Sequence, residues 1–538
     1  MKKILSLILM TTITVTVMAV PARRGPIIRT TEDGTEKVVY LHGNEWFHYM
    51  TDAEGQWLNE KTLMPLTDEQ REARLNAGIA RKARRIEQQK NVGGELNLAP
   101  RGLIILVNFT DKKFKTEHCD IQNMINGEHF TQHFKYKYGR DSITVDAYGS
   151  ARKYFECQSD SQYLPQFDVV GPIELDHEMA YYGGNDSGGN DKNVGEMIKE
   201  ACVKADQQLN INFKQYDNNE DGDLDFVYVI YAGYGEADGG NANTIWPHNW
   251  DLTYWGVRCE VDKLMVHNYA CSNEMDYISR HSAGIGTFCH EFSHVLGLPD
   301  LYATNDNATH KTMGAWDILD YGPYNNSGFT PPGYSAYERF YMGWLTPRLL
   351  TEPASEVWLG VLSETNDAIL ICDSATHNLM GVNPHPATFY MLENRQNQWN
   401  WDLYLPGNGL LITKIQYSAS KWSNNTVNNN SRSMGVDIIE ADGSAPSYNR
   451  NNPENGYKGK ATDAFPAGAT EWKGLAGHEI TNIVQGEDLS ITFSYRWEGR
   501  EGIENVKDGE TATKILRDGQ VLIIRNGVTY NAQGAVVK

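Results

Sequence analysis

The segment TFCHEFSHVLGLPDLY, residues 287–302, constrains the fold of this chain more than any other stretch. Its first half has a helical pattern, and Gly297 then allows the chain to leave the helix sharply. On that helix His290 and His294 lie one turn apart and project from the same face. Because two imidazoles so placed can bind one zinc ion, the sequence predicts a metal site formed by this helix and the turn that follows it. The alternative is a helix end that is merely polar.

The spacing after the second histidine suggests how a catalytic zinc site could be completed. Such a site needs a third protein ligand and one open position. Asp300 follows His290 by ten residues and gives the order H-E-x-x-H-x-x-G-x-x-D, the metzincin pattern with aspartate in place of the third histidine. Glu291 can reach a water bound to the metal without becoming a ligand. The sequence therefore predicts a zinc site of two histidines and one aspartate.

Further residues are candidates for stabilising an oxyanion. Metzincins place a methionine-containing turn beneath the metal, but the aligned turn here, Asp317 to Gly322, carries Leu319 in that place, with Met313 earlier. Tyr321 could donate its hydroxyl to the oxyanion, or it could be a buried aromatic in a tight turn. His248 in IWPHNW could line the substrate cleft or assist the oxyanion, or it could be a packed histidine.

The acidic stretch DNNEDGDLD predicts a second metal, calcium. It has oxygen donors at alternate positions and a glycine at the sixth. Tyr228 occupies the twelfth position, where an EF-hand has glutamate, and a strand follows, so a complete EF-hand is not expected. The alternative is a solvated acidic turn. The candidate calcium ligands are Asp217, Asn219, Asp221, Asp223 and Asp225.

The N-terminus predicts export. Lys2 and Lys3, an apolar stretch and a small-residue site ending at Ala19 form the three parts of a secretory signal peptide. The apolar stretch is too short for a convincing membrane span, and no later segment approaches that length. The net charge of −21, from 48 basic and 69 acidic residues, argues against nucleic acid or an anionic membrane as the main partner. Of the seven cysteines, Cys259 and Cys271 are close enough in sequence to pair across a hairpin.

Changes of pattern along the chain predict a multidomain α+β protein. Short strands and a helix with a basic end are expected to form a small propeptide. The basic segment Ala80–Arg85 would suit cleavage by an activating protease. The alternative is that it is the basic end of a solvated helix. A domain of alternating strands and helices follows, then a β-rich, sandwich-like domain and a hairpin tail. The expected segments are a signal peptide at 1–19, the propeptide at 20–97, the catalytic domain at 98–346, the β-rich domain at 347–498 and the tail at 499–538.

These landmarks resemble the secreted metallopeptidases of the immune inhibitor A type. The similarity runs from DGTEKVVYLHGNEWFHYMTDAEG to about Trp497 and includes YDNNEDGDLDFVYVIYAGYGEADGG, HEFSHVLGLPDLY and MGAWDILDYG in that order. The resemblance implies a metzincin-like zinc endopeptidase made as a zymogen, with the histidine pair as ligands and Glu291 as general base. The third ligand stays open between Asp300 and Glu338, a glutamate on a later helix as in thermolysin-like enzymes.

We therefore predict an exported, monomeric zinc endopeptidase that hydrolyses extracellular proteins and is inhibited by its own propeptide. Glu291 would take a proton from the zinc-bound water and pass it to the departing amine. One alternative is a surface adhesion or glycan-binding protein with a degenerate protease domain, and another is a zinc hydrolase of a non-peptide substrate. The tail resembles short sorting tails of exported bacterial proteins, which leaves retention at the cell surface open.

Overall fold

The structure is a computed structural model. It describes residues 20–23, 25–30, 35–43, 48–60, 62–74, 99–187, 189–305, 308–398, 400–445, 458–496, 513–517, 520–525, 528–531 and 537. The predicted signal peptide, the basic segment Ala80–Arg85 and most of the expected linker before residue 98 lie outside these ranges.

A small antiparallel sheet comes first. Its strands follow one another in space as they do in sequence, in the order β1-β2-β3-β4. Residues 68–74 are helical. Val39, Leu41 and Met50 of the sheet share a core with Ala237 and Trp246, so the sheet packs on the segment that follows. The strands are β1 (Pro26–Thr30), β2 (Glu36–Gly43), β3 (His48–Thr51) and β4 (Trp57–Leu58).

The next segment is built on a five-stranded sheet of order β11-β14-β10-β5-β8, in which β11 is an antiparallel edge strand and the other pairs are parallel. The strands are β5 (Arg101–Asn108), β6 (Thr131–Tyr138), β7 (Asp141–Tyr148), β8 (Gln166–Glu174), β9 (Asp223–Leu224), β10 (Val227–Tyr234), β11 (His248–Asp251), β12 (Cys259–Val261), β13 (Leu264–Val266) and β14 (Asn268–Met275). The helices are α1 (His118–Asn126), α2 (Ala151–Gln158), α3 (Met179–Gly183), α4 (Val194–Leu209), α5 (Gly286–Val295) and α6 (Ala336–Tyr341).

Helices cover both faces of this sheet, which explains why the segment RGLIILVN is apolar without alternation. Ile104 and Leu106 belong to the core that includes α5. Leu103 and Ile105, on the opposite face, belong to the core that includes α4. The sheet thus supports α5, the helix that carries the two histidines, on one face.

Two further sheets lie beyond residue 346, of order β15-β17-β18-β19-β20 and β16-β22-β21. Their facing side chains form one shared core, as in two packed β-sheets. The strands are β15 (Arg348–Leu349), β16 (Ala354–Leu359), β17 (Ile369–Ile371), β18 (Thr388–Arg395), β19 (Gly409–Gln416), β20 (Val436–Ile438), β21 (Ile480–Gln485) and β22 (Ile491–Tyr495), and the helices are α7 (Leu362–Thr365) and α8 (Ala419–Ser423).

The C-terminal tail contains a three-stranded antiparallel sheet formed by β23 (Thr513–Arg517), β24 (Gln520–Arg525) and β25 (Val528–Asn531). The mixture of helices and several separate sheets agrees with the predicted α+β class. The expected domain boundaries stay predictions. In the described ranges no helix combines the length and the apolar character needed to cross a membrane.

The predicted pairing of Cys259 with Cys271 is wrong. All seven cysteines lie in the described ranges, and each is a free thiol. Cys259 lies in the short hairpin β12–β13, opposite Val266, and its thiol interacts with that of Cys202 on α4. Cys271 lies in β14 of the central sheet, where its Sγ atom is 3.8 Å from Nδ1 of His248. The two residues are close in sequence but belong to different sheets.

Candidate active site

Helix α5 brings His290 and His294 together. Both side chains are completely buried. Nδ1 of His290 is 2.7 Å from the carbonyl oxygen of Ile318, and Nδ1 of His294 is 2.9 Å from that of Leu298. Because a carbonyl oxygen can only accept a hydrogen bond, both rings carry a proton on Nδ1. Their Nε2 atoms therefore point to a common place, 2.9 Å from each other.

Asp300 completes the group, as the metzincin-like spacing predicts. The chain leaves α5 through Gly297, whose φ of +93° is a conformation that other residues rarely adopt. Oδ1 of Asp300 then lies 3.4 Å from Nε2 of His290 and 3.3 Å from Nε2 of His294. The three ligand atoms all lie within 4.8 Å of one another.

The arrangement of these atoms fits a metal ion. Within the part of the chain that the structure describes, Oδ1 of Asp300 has no hydrogen-bond partner, although it is buried. A buried carboxylate oxygen without a partner is costly, and a cation held between it and two imidazole nitrogens would remove that cost. Two histidines and a carboxylate, each fixed by a further hydrogen bond, are a donor set that zinc favours.

The protonation states also suit a metal. Burial lowers the pKa of His294, which keeps its imidazole neutral. Burial disfavours the ionised form of Asp300, but the closeness of His294 and His290 outweighs this effect and lowers the pKa of Asp300 to about 2. Neutral imidazole and ionised carboxylate are the forms that coordinate a metal.

Glu291 lies beside the ligands, and the N-terminal segment contacts it. Oε1 of Glu291 accepts a hydrogen bond of 2.9 Å from the backbone nitrogen of Val20. Val20 is almost completely buried, and its carbonyl oxygen accepts a bond from Nε1 of Trp246 at 3.3 Å. We name residues 20–23 the leader segment; it lies across the place where Glu291 would act.

Tyr321 points into the same place. Its hydroxyl donates to the carbonyl oxygen of Ala22 at 3.1 Å. The hydroxyl of Tyr324 donates to the carbonyl oxygen of Pro21 at 2.6 Å. Sequence reasoning missed Tyr324, although its spacing of three residues from Tyr321 in DYGPY was a usable signal. Two hydroxyl donors therefore face a peptide backbone next to Glu291.

Asp300 is held by a residue that sequence reasoning also missed. Nδ2 of Asn425 donates to Oδ2 of Asp300 at 2.6 Å, and the backbone nitrogen of Asp300 donates to Oδ1 of Asn425 at 2.9 Å. Asn425 lies in an asparagine-rich stretch 125 residues away, and nothing in that stretch marks it as a partner of the metal site.

Glu338, the rival ligand, is used elsewhere. Its Oε2 accepts hydrogen bonds from the backbone nitrogen and the hydroxyl of Ser335 at 2.6 and 3.0 Å, which completes the capping box of α6. Asp300, not Glu338, joins the histidines. The physical reason is local: a glutamate at the third position of a helix reaches back to its own N-terminus.

The other candidates beside the site are packed. His248 is buried; its Nδ1 lies 2.7 Å from the carbonyl oxygen of Trp246 and its Nε2 lies 2.8 Å from the hydroxyl of Tyr269. Leu319 and Met313 are both buried in the core that includes α5. The turn containing Leu319 contributes to the metal site through a backbone atom, the carbonyl oxygen of Ile318.

The acidic stretch forms a turn whose side chains bind its own backbone. Asp217 accepts from the backbone nitrogens of Asp221 and Gly222, each at 3.1 Å. Asp225 accepts from the backbone nitrogen of Asn218 at 2.7 Å. In the described ranges these carboxylates do not converge as the His–His–Asp group does. Calcium binding by Asp217, Asn219, Asp221, Asp223 and Asp225 stays a prediction.

Comparison with known proteins agrees with the resemblance seen in the sequence. The pre-pro-metalloprotease PrtV of Vibrio cholerae serotype O1 is 26% identical over 270 aligned residues, covering 45% of this chain and 29% of that protein. Immune inhibitor A of Bacillus thuringiensis subsp. alesti is 26% identical over 288 residues, covering 46% of this chain and 40% of that protein. The match thus spans less than half the length of these relatives. Residues 96–344 match the family described as the immune inhibitor A peptidase M6, catalytic domain.

Proposed function

We propose that the chain is an exported zinc endopeptidase made as a zymogen. The observation that carries this proposal is the convergence of His290, His294 and Asp300 beside Glu291. The names of the relatives, a metalloprotease and immune inhibitor A, support peptide hydrolysis over an adhesion or glycan-binding role. The secretory signal pattern at residues 1–19 supports export.

The His–His–Asp group would hold zinc, which when bound polarises a carbonyl and lowers the pKa of water. The carboxylate of Glu291 accepts the proton of the attacking water and delivers it to the nitrogen of the leaving amine. The hydroxyls of Tyr321 and Tyr324 hold carbonyl oxygens of the peptide, as they hold those of Ala22 and Pro21. The role of Tyr321 in stabilising the oxyanion stays a prediction from the sequence. His248 has no step in this mechanism, because both of its ring nitrogens contact protein atoms.

The metzincin-like arrangement belongs to the same proposal. Its support is that Gly297 and Asp300 stand where the H-E-x-x-H-x-x-G-x-x-D pattern expects them, and that a turn beneath His290 contributes the carbonyl oxygen of Ile318. Leu319 takes the place of the usual methionine in that turn. We infer that the turn acts through its backbone and its packing.

The leader segment supports latency. It hydrogen bonds to Glu291, Tyr321 and Tyr324, which are the groups that a substrate backbone would need. A substrate and the leader cannot occupy these groups together. We propose that the propeptide inhibits the enzyme by filling the cleft, and that residues 20–23 must leave before a protein substrate can bind.

The test is a comparison of Glu291→Gln with the unchanged protein, each in the processed form in which the unchanged protein digests casein. We expect Glu291→Gln to bind one zinc per chain and to lose at least about a hundredfold in casein hydrolysis, because a positioned general base contributes on the order of 10²–10⁴-fold. A chelator should remove the activity of the unchanged protein, and zinc should restore it.

The matched control is Glu356→Gln, which removes the same charge from an exposed position in β16 and should leave hydrolysis unchanged. Elemental analysis reports the metal content of all three proteins. Casein hydrolysis by Glu291→Gln close to that of the control would refute the mechanism. Chelator-sensitive hydrolysis of small esters without any cleavage of proteins would favour a zinc hydrolase of another class.

A further inference from the structure

The leader segment ends in an arginine whose side chain is held by the catalytic segment. The guanidinium of Arg23 forms an ion pair with the carboxylate of Asp276, and both side chains are mostly buried, with exposures of 14% and 6%. The backbone nitrogen of Arg23 donates to the carbonyl oxygen of Ala237 at 2.8 Å. Arg23 is thus bound through its charge and its backbone, close to the groups that bind residues 20–22.

The pocket that receives this arginine is acidic and is fixed without help from the leader. Asp276 follows β14, and its Oδ1 accepts a hydrogen bond of 2.5 Å from the backbone nitrogen of Ser279. Asp238, a second buried carboxyl group, accepts from Nδ2 of Asn273 at 2.9 Å. Burial and the charge of Asp276 raise the pKa of Asp238 well above its usual range, and the charge of Arg23 opposes this rise. The ring of Tyr324 lies 5.7 Å from the guanidinium carbon. These partners all belong to the catalytic segment and remain when the leader leaves.

Loss of the leader would leave the carboxylate of Asp276 without its cation. A buried charge that loses its partner is destabilised, so the pocket favours a replacement cation. Asp276 and Asp238 also raise the pKa of Arg23, which burial alone would lower. The replacement must come from the occupant of the cleft, and the cationic side chains of a peptide are arginine and lysine. A cavity of about 190 Å³ borders Arg23 and gives a longer peptide room to continue.

The position of Val20 fixes the register of such a peptide. In the proposed hydrolysis Glu291 delivers a proton to the nitrogen of the departing product. The backbone nitrogen of Val20 lies 2.9 Å from Oε1 of Glu291, at the place where that nitrogen would be. Val20 therefore corresponds to the first residue after the cleaved bond, and Arg23 corresponds to the fourth.

We propose that Asp276, with Asp238 behind it, selects peptide substrates that carry arginine or lysine at the fourth residue after the cleaved bond. This inference rests on the proposed peptidase function and names its substrate class, peptides with a cationic residue on the side of the departing amine. Asp276 is a specificity-determining residue and takes no part in the bond cleavage itself.

The experiment uses the full chain, processed to the form that digests casein. Three peptides are compared that differ only at the fourth residue after the cleaved bond: arginine, lysine and citrulline, which has the shape of arginine without its charge. We expect kcat/KM for the arginine and lysine peptides to exceed that for the citrulline peptide by at least about tenfold in the unchanged enzyme. Mass spectrometry identifies the cleaved bond in each case.

Asp276→Asn should abolish the preference and leave cleavage of the citrulline peptide nearly unchanged. The matched control is Asp251→Asn; the carboxylate of Asp251 also accepts a backbone hydrogen bond, from Thr253 at 2.7 Å, and this variant should keep the full preference. Equal kcat/KM for the arginine and citrulline peptides in the unchanged enzyme would overturn the inference, as would a preference that survives Asp276→Asn.

The first of these comparisons needs no variant, so it decides the inference even if Asp276→Asn does not fold. It also separates the inference from the proposed function. An enzyme that cleaves all three peptides equally is still a peptidase. Only the proposed role of the acidic pocket in substrate selection is then refuted. A processed protein that cleaves neither casein nor any peptide contradicts the proposed function, and this inference falls with it.

Discussion

A single asparagine from beyond the predicted catalytic domain fixes Asp300, the third ligand of the proposed metal site. The side-chain amide of Asn425 is both donor and acceptor, and it pairs with the carboxylate and the backbone nitrogen of Asp300 at 2.6 and 2.9 Å. Asn425 has a φ of +48°, a conformation that asparagine tolerates better than most residues. The pair orients one carboxylate oxygen towards Asn425 and leaves the other for the histidines.

We expect Asn425→Ala to weaken zinc binding about 10- to 100-fold, because residues that hold metal ligands typically contribute that much. Titration of the metal-free protein with zinc measures the effect. The matched control is Asn424→Ala, since Asn424 bonds to Ser420 and not to Asp300. Equal zinc affinity in the two variants would show that Asp300 needs no help from Asn425.

At the scale of the element, the end of helix α5 decides where Asp300 arrives. Gly297 has a φ of +93°, and a Cβ atom built on it would meet nothing within 4 Å. The space around this glycine is therefore open, and its only special property is its backbone conformation. A glycine is required here because the chain must turn back within three residues to bring a carboxylate to the two histidines.

We expect Gly297→Ala to lower the free energy of unfolding by about 1–2 kcal/mol and to weaken zinc binding, because alanine strains or shifts the turn. Gly443 provides the control: it also has positive φ, +66°, with open space around it, but it lies in a distant turn. Gly443→Ala should lower stability similarly without changing zinc affinity. Chemical denaturation and zinc titration test both variants, and parallel losses of zinc affinity would contradict the local role of Gly297.

The parts of the site that the sequence predicted are those made within one short element. His290, Glu291, His294, Gly297 and Asp300 span eleven residues, so helical spacing and one turn suffice to place them. The remaining parts depend on long-range packing that no local pattern encodes. Asn425 and the leader segment approach the site from segments more than one hundred residues away, and Cys259 faces α4 although Cys271 is nearer in sequence.

At the scale of the whole molecule, the hydrophobic core crosses the boundary that the sequence predicted at residue 346. Phe292 of α5 belongs to the same buried cluster as Met391 of β18 and Trp422 of α8. Nη2 of Arg395 donates to the carbonyl oxygen of Gly333 at 3.0 Å across the same boundary. The strands beyond residue 346 therefore form one wall of the core that supports the His–His–Asp group.

We expect a chain that ends at residue 346 to lose both its cooperative unfolding transition and its stoichiometric zinc. The loss of zinc is expected because this chain lacks Asn425. The loss of cooperative unfolding is expected because exposure of each large apolar side chain of that wall costs about 1.5–3 kcal/mol. A few such side chains together equal the free energy of unfolding of a typical domain. Near-ultraviolet circular dichroism on heating and elemental analysis measure the two losses. A chain that ends at residue 498 is the control: it removes the sheet β23-β24-β25, whose strands pair with one another, and should keep both properties. A fragment ending at 346 that unfolds cooperatively and retains one zinc would show instead that the metal centre is complete within the predicted catalytic domain.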